Sequence, residues 1–405
     1  MTDPGSTTRL VRGLARGREV TLSRDLRRDL KRGHPWVYAD AVRLGAGLEP
    51  GEIVTVLGGD GRDKRAVGRG YVDPTGPLAV RMCTLDRSPV DDGWATLQLE
   101  HALALRTTLF ARGDTTGYRL VNGEGDGLPG LVVDRYGETL VIKTDGPIAD
   151  AFWDVDGLAA HLAALTGATA VYGRVRSRGG AEGRALVGPA PSSPVVFREL
   201  GLTFEADVVA GQKTGFFFDQ RENRARVGEL AAGRRVLNAF GYTGGFSVHA
   251  GRGGARHVTT LDLARPAIDA AEANWRRNGL PPEAHAGVVA DAFELLEQTT
   301  DRWDLVVLDP PAFAPGKQAL PQALAAYRRL VVAGARVALP GALMLVASCS
   351  AHVRMHDLVG AIEDGVGEAR RRATLLFASG QPPDHPSPLA CPELAYLKAV
   401  YLRLA

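Results

Sequence analysis

Cysteine is scarce: Cys83, Cys349 and Cys391 are the only three in 405 residues. They are too few and too scattered for a disulfide framework or a zinc cluster. No metal is therefore expected, a reducing cytoplasm is the default compartment, and any cysteine that matters must act as a free thiol. Long apolar runs are missing as well. The nearest, Ala342 to Ala347, is short and follows Pro340, far below the roughly 18 residues that a membrane span needs. Met1 to Val20 mixes Asp3 and Glu19 with arginines and has no apolar stretch, which speaks against a secretory signal. Net charge is small: 48 Lys+Arg against 46 Asp+Glu leave +2. That excludes a chain that coats nucleic acid along its whole surface. Lysine itself is rare, six of the 48 basic residues, a bias that matches a GC-rich coding sequence more than a physical demand.

What is present is globular material, 45% hydrophobic and 23% charged. At roughly 100–200 residues per domain, the length makes two or three cores. Three regions differ in pattern. Residues 1–87 read as short strands (Glu52 to Leu57, Ala66 to Val72, Leu78 to Leu85) punctuated by turns such as Gly58-Gly59-Asp60-Gly61, the pattern of a small β-barrel or sandwich. A stretch from Ser23 to Lys31 is expected to pack on it as a helix, with Ser23 as N-cap. Nine basic residues between Arg9 and Arg32 face three acids; this is either a local footprint for a phosphate backbone or a solvated basic face. Residues 88–194 read as a small α+β domain. Its helices are Trp94 to Ala111 and Ala151 to Leu165, its strands Gly130 to Tyr136, Thr139 to Lys143 and Ala170 to Val175, and a loop fills 176–194. From 195 to 405 strands and helices alternate. That predicts an α/β domain with a parallel sheet, helices on both faces and ligands at the carboxyl ends of the strands.

The chemistry-bearing residues fall at those ends. The strand Arg235 to Ala239 leads into a loop holding Gly241, Gly244 and Gly245, and glycines there let a ligand approach the backbone. The loop lacks the G-x-G-x-x-G spacing of a dinucleotide site, and a bare βα turn would look similar. Asp262 ends the second strand, 21 residues beyond Gly241, the placement of an acid that accepts from a ribose diol. Asp291 ends the third, positioned either for an adenine amino group or as a helix cap. The fourth ends in Asp309-Pro310-Pro311-Ala312-Phe313. Two prolines stiffen this loop, and a fixed acid beside an aromatic suits a planar base. The fifth ends in Ser348-Cys349-Ser350. With a thiol pKa of about 8.5, little thiolate exists at neutral pH. A nearby Lys, Arg, or the N-terminus of a helix expected from His352 would raise it.

In order along some 350 residues, these blocks resemble the PUA-domain-containing, S-adenosylmethionine-dependent methyltransferases that form 5-methylcytosine in large-subunit ribosomal RNA. The first region contributes Arg27, Gly33-His34-Pro35-Trp36-Val37 and a Gly68-Arg69-Gly70 turn, and the second contributes Arg119 to Tyr136. The third contributes Gln212 to Arg221, Tyr242 to Phe246, Asp309 to Phe313, Ser348 to Ser350 and Asp384-His385-Pro386. The resemblance implies a PUA-like RNA-binding domain, a middle domain and a Rossmann-like class I methyltransferase domain. It further implies S-adenosylmethionine as cofactor, 23S ribosomal RNA as partner, and a homodimer. Its cofactor contacts are Lys213 (on the methionine carboxylate), Asp219, Asn238, Phe240, Tyr242, Gly244, Asp262 and Asp291. Its base contacts are Pro310 and Phe313, and its RNA contacts Arg27, Lys31, Arg32 and Trp36.

The implied mechanism has the Cys349 thiolate add to carbon 6 of cytosine, making carbon 5 nucleophilic, while Asp309 holds the ring near nitrogen 3. No residue is assigned to remove the carbon 5 proton. Leu263-Ala264 follow Asp262 where the family more often carries a serine at the second position, so one polar contact near the ribose is missing. The stretch around Asn122 reads as a tight hairpin without chemistry. Three rival readings stay open: a purine N-methyltransferase, which needs the Asp309 loop but no cysteine; a catalytically silent RNA-binding protein; and a small-molecule methyltransferase.

Overall fold

The computed structural model describes residues 9–59, 64–177, 180–192, 194–314 and 316–405; the Asp60-Gly61 turn lies outside them. The chain divides into two compact units. Unit 1 comprises 1–197, 207–216 and 383–394, and unit 2 comprises 198–206, 217–382 and 395–405. The region expected as one block from residue 195 thus gives two short segments to unit 1.

Unit 1 holds two sheets. In the first, Trp36–Tyr38, Leu78–Thr84, Arg65–Val72, Ile53–Gly58, Ala15–Leu22 and Val42–Arg43 lie side by side in that order. Their β-branched residues, Val20, Val37, Val54, Val56, Val67 and Val80, fill the core. Gly68 and Gly70, expected in a turn, lie inside the Arg65–Val72 strand. A Cβ on either would fall 2.2 Å from a carbonyl oxygen, that of Thr84 or Arg81, so glycine permits close crossing where the register shifts. The helix is shorter than expected, Arg27–Lys31, and Ser23 does not cap it. The Ser23 hydroxyl donates to the Asp40 carbonyl instead (3.2 Å).

The second sheet runs Gly180–Val187, Ala170–Ser177, Thr139–Thr144, Leu131–Tyr136 and Gly117–Asn122. Much of the expected 176–194 loop is therefore strand, paired antiparallel with Ala170–Ser177. The helix expected over Ala151 to Leu165 is two, Pro147–Phe152 and Val155–Thr166. Asp154 caps the second by accepting from Gly157 N–H (3.1 Å), and the intervening Trp153 is fully buried, stacked 5.8 Å from Trp94. Beside this core lies a buried polar network. Arg106 makes two bonds to Asp126 (2.5 and 2.8 Å) and donates to the Asp384 carbonyl (2.7 Å). Arg119 bonds Asp134 (2.5 Å) and Asn122 (2.7 Å), and its N–H donates to the Asp384 carboxylate (3.0 Å). The Thr214 hydroxyl donates to Asp134 (2.5 Å), and the Tyr136 hydroxyl accepts from Phe216 N–H (3.0 Å). These bonds attach 207–216 and 383–394 to unit 1.

Unit 2 is built on seven strands in the order His285–Val289, His257–Asp262, Arg235–Ala239, Trp303–Leu308, Ala338–Ser348, Lys398–Leu404 and Ala373–Ser379. Six run parallel, as expected; Lys398–Leu404 is antiparallel to both neighbours. A strand that returns without a crossover helix can pair only that way. Val306–Leu308 and Leu345–Ala347 have no exposed surface, as befits strands covered on both faces; each such Val or Leu contributes ~1.5–3 kcal/mol by burial. Strand order reverses between Arg235–Ala239 and Trp303–Leu308, with Ala239 level with Leu308. Their ends open side by side, where such sheets bind ligands.

Candidate active site

On one side of the reversal, Arg235–Ala239 delivers Asn238, which is fully buried. Its Nδ2 donates to Ser247 Oγ (2.9 Å), which lies 2.6 Å from Thr260 Oγ1, itself 2.7 Å from His285 Nε2. Burial pushes His285 down to about 4, so its ring is neutral at pH 7. The line ends open: Asn238 Oδ1 and, a few residues on, Thr243 Oγ1 are buried with no hydrogen-bond partner among the described residues. Buried polar atoms are rarely left so. The loop between them is strained, with Phe240 (φ 59°) and Tyr242 (φ 45°) in left-handed backbone, at a cost of ~1–3 kcal/mol each. Asp262 pins this loop by accepting from Tyr242 N–H (2.9 Å) and Ala264 N–H (3.0 Å). A carboxylate has about four lone-pair directions, so capacity remains for a diol. At Gly244 (φ 77°) a Cβ would press on Ala271 Cβ at 2.7 Å. Asp291 is a helix cap, accepting from Glu294 N–H (3.0 Å), and buried Asp219 accepts from the Tyr396 hydroxyl (2.8 Å).

On the other side, Asp309 follows the strand Trp303–Leu308. Its Oδ1 accepts from Gln220 Nε2 (2.8 Å), and Gln220 Oε1 accepts from Asn223 Nδ2 (2.6 Å). Asn223 Oδ1 accepts in turn from Ser379 (2.6 Å) and Tyr401 (3.1 Å) hydroxyls. Four side chains thus orient one carboxylate. Pro310 is buried, and Phe313 is half-buried, 5.0 Å from Tyr327 and 6.4 Å from Phe293; part of the ring faces the core. On the adjoining strand Leu308 pairs with Val346, so Asp309 is level with Ala347, two residues short of Cys349. The thiol is half-buried, between buried Ser348 and Ser350. Tyr327 donates to Ser348 Oγ (2.9 Å). The helix expected from His352 starts at Met355, with Arg354 N–H donating to Asp357 (2.9 Å). The Lys398 ammonium donates to the carbonyls of Ser350 (2.5 Å) and Tyr396 (2.7 Å).

Gln220, Thr243 and Lys398 were not singled out as site residues from sequence. Gln220 and Thr243 stand inside recognisable blocks, but only the Asp309 partner of Gln220 and the unpartnered hydroxyl of Thr243 reveal a role. Lys213 lies in unit 1 with left-handed backbone (φ 51°), and its part in cofactor binding rests on the resemblance. Of the basic run, Arg9 bonds backbone carbonyls, while Arg12, Arg16, Arg18, Arg24 and Arg27 pair with Asp154, Glu49, Glu52, Asp40 and Asp25. Among the described residues no ion pair engages Arg28, Lys31 or Arg32, all exposed. The Trp36 indole donates to Glu124 (2.8 Å). His34, Cys391 and Glu393 gather their ligating atoms within 4.8 Å, yet they already serve one another and the backbone. The buried thiol, pushed up to about 12 by burial, donates to Glu393 (3.5 Å), and His34 Nδ1 lies 3.0 Å from the Trp36 carbonyl.

The sequence profile of the S-adenosylmethionine-dependent methyltransferases matches residues 159–400, more than half of the chain. The chain belongs to that family. A PUA-like domain profile matches residues 20–85 of this methyltransferase. Over 93% of its length it is 43% identical to the ribosomal RNA large subunit methyltransferase of Deinococcus radiodurans, covering 94% of that protein. It is 36% identical to ribosomal RNA large subunit methyltransferase I of Photobacterium profundum, over 95% of this chain and 97% of the other. A solved chain from Streptococcus mutans, described as a SAM-dependent methyltransferase, shares the fold: TM-score 0.82 at 22% identity, over 95% of this chain and all of that one. Another, a methyltransferase crystallised with SAH, superposes with TM-score 0.83 over the same shares. S-adenosylmethionine is the cofactor, and the strand-end residues fit it: two unpartnered buried oxygens and an acid with spare acceptor capacity. No helix among the described residues is long and apolar enough to cross a membrane.

Proposed function

We propose that this methyltransferase forms 5-methylcytosine in large-subunit ribosomal RNA through a covalent adduct at Cys349. The names of its relatives support the substrate. The observation that carries the chemistry is the placement of Asp309 and Cys349 at the ends of adjacent parallel strands. Asn238, Thr243, Asp262 and the Phe240–Gly244 loop hold S-adenosylmethionine, which supplies an electrophilic methyl group when bound.

Carbon 5 of cytosine is a poor nucleophile, and the chain's own residues correct that. Cys349 gives up its proton, and its sulfur bonds to carbon 6. The carbon 5–carbon 6 π pair shifts to the carbon 4–carbon 5 bond, the carbon 4–nitrogen 3 pair moves onto nitrogen 3, and carbon 5 becomes the nucleophilic end of an enamine. With a proton on its carboxyl group, Asp309, oriented by Gln220, donates a hydrogen bond to ring nitrogen 3, where negative charge develops. Once carbon 5 carries the methyl group, its proton departs to a base, the carbon 5–carbon 6 double bond re-forms and the sulfur–carbon bond breaks, returning the thiolate. The base must leave its stack to reach these groups, with Pro310 and Phe313 beside it. Arg28, Lys31 and Arg32 supply the phosphate contacts of the PUA-like module.

RNA carrying 5-fluorocytosine tests the reading, because fluorine cannot depart as a proton does. The wild-type enzyme is expected to form a denaturation-resistant adduct with it, and Cys349→Ala neither adduct nor product. Full methyl transfer by Cys349→Ala would favour N-methylation instead. Mass mapping of ribosomal RNA from cells with and without the gene identifies the nucleotide.

A further inference from the structure

We propose that Lys398 is the positioning residue for the nucleophile: its ammonium sits against Cys349 as the counter-charge that keeps the sulfur anionic. The inference rests on the adduct reading above. It begins with register, since Lys398 pairs directly with Ser348 in the antiparallel ladder, one residue before the thiol. Lys398 is also the one buried lysine among the described residues, in a chain that otherwise favours arginine. A buried ammonium needs partners. Two of its three N–H groups meet the carbonyls of Ser350 and Tyr396, so the ammonium is held between the thiol-bearing turn and its own chain segment. Neutral carbonyls orient a cation without discharging it. The anionic groups that act on it are Cys349 and, from the helix Met355–Glu368, Asp357; near the thiol stand also Asp309, at the adjoining strand end, and the Tyr327 phenol, which burial pushes up to about 12 and keeps neutral. Burial brings Lys398 down to about 8, which leaves it mostly protonated at neutral pH. The full positive charge is thus present when the thiol must ionise.

The test reads the thiol itself, without RNA. The rate of Cys349 alkylation by iodoacetamide, followed by peptide mass, is measured from pH 5.5 to 10 in wild type, Lys398→Met and Lys398→Arg. Cys83 and Cys391 are the internal references. The wild-type inflection is expected below the value of about 8.5 for a free thiol. Lys398→Met moves it up by at least about one unit, a roughly tenfold lower rate at pH 7, and Lys398→Arg restores most of the rate. A wild-type inflection at or above the free-thiol value overturns the proposal even if Lys398→Met fails to fold. So does an unchanged profile in folded Lys398→Met. The two readings fail separately: full methyl transfer by Cys349→Ala removes the adduct mechanism, whereas a lost adduct in Cys349→Ala with an unmoved alkylation profile in Lys398→Met removes only this inference.

Discussion

Two buried polar networks, one in each unit, are finished differently. In unit 1 Arg106, Asp126, Arg119, Asp134, Thr214 and Asp384 form a closed set, in which charges are paired and the paired groups are further bonded to hydroxyls or backbone. In unit 2 the corresponding lines stop short. Asn238 and Thr243 each keep an unpartnered buried oxygen, Asp262 divides its oxygens between two backbone donors, and the Cys349 thiol stays half-buried. Complete satisfaction marks groups that fix a structure; a buried acceptor left open marks a place for a ligand. Sequence shows charged, patterned blocks in both units and cannot tell the two situations apart.

Mutations should separate them. Cys349→Ala is expected to lower methyl transfer by at least about 10³-fold, as loss of a covalent nucleophile does, with an unchanged thermal midpoint; a large fall in midpoint would make the thiol a core residue instead. Arg106→Leu strands a buried carboxylate and should remove about 3–5 kcal/mol of stability in urea unfolding. Loss of turnover without loss of stability would put unit 1's network on the catalytic side. Gln220→Leu frees Asp309 to rotate and is expected to lower kcat by roughly 10–100-fold, the usual cost of losing an orienting partner, with S-adenosylmethionine binding intact by calorimetry. Asn238→Ala removes an acceptor worth ~1–1.5 kcal/mol. Calorimetry should then show roughly tenfold weaker cofactor binding, and unchanged affinity would take Asn238 out of the site. The smallest effect belongs to the surface: Lys31→Ala with Arg32→Ala should flatten the salt dependence of RNA affinity by about one unit of slope each and leave cofactor binding alone.

Legibility followed the range of the interactions. The Arg235–Ala239 strand coincides with its expected bounds, because local periodicity sets it. Elsewhere pairing overrode composition: Gly180–Val187 lies in glycine-rich sequence that reads as loop yet completes a hairpin, and Gly68 and Gly70 are strand crossings, not a turn. Asp291 is a cap through its bond to Glu294, one of the two uses open to it in sequence, since a cap and a base contact need the same residue at the same strand end.

Local sequence is enough to set the alternation of strand and helix, the acids and the cysteine at the strand ends, and the order of blocks that carries the family resemblance. These are local or linear properties, written in spacing. Tertiary structure alone decided that the last strand enters antiparallel, that 207–216 and 383–394 belong to unit 1, that Gln220 aims Asp309, and that a lysine 49 residues beyond Cys349 comes to lie against the same turn. Each of those depends on which distant strand or side chain arrives as partner. Hydrogen bonds and charge act over a few ångströms of space, whatever the separation along the chain.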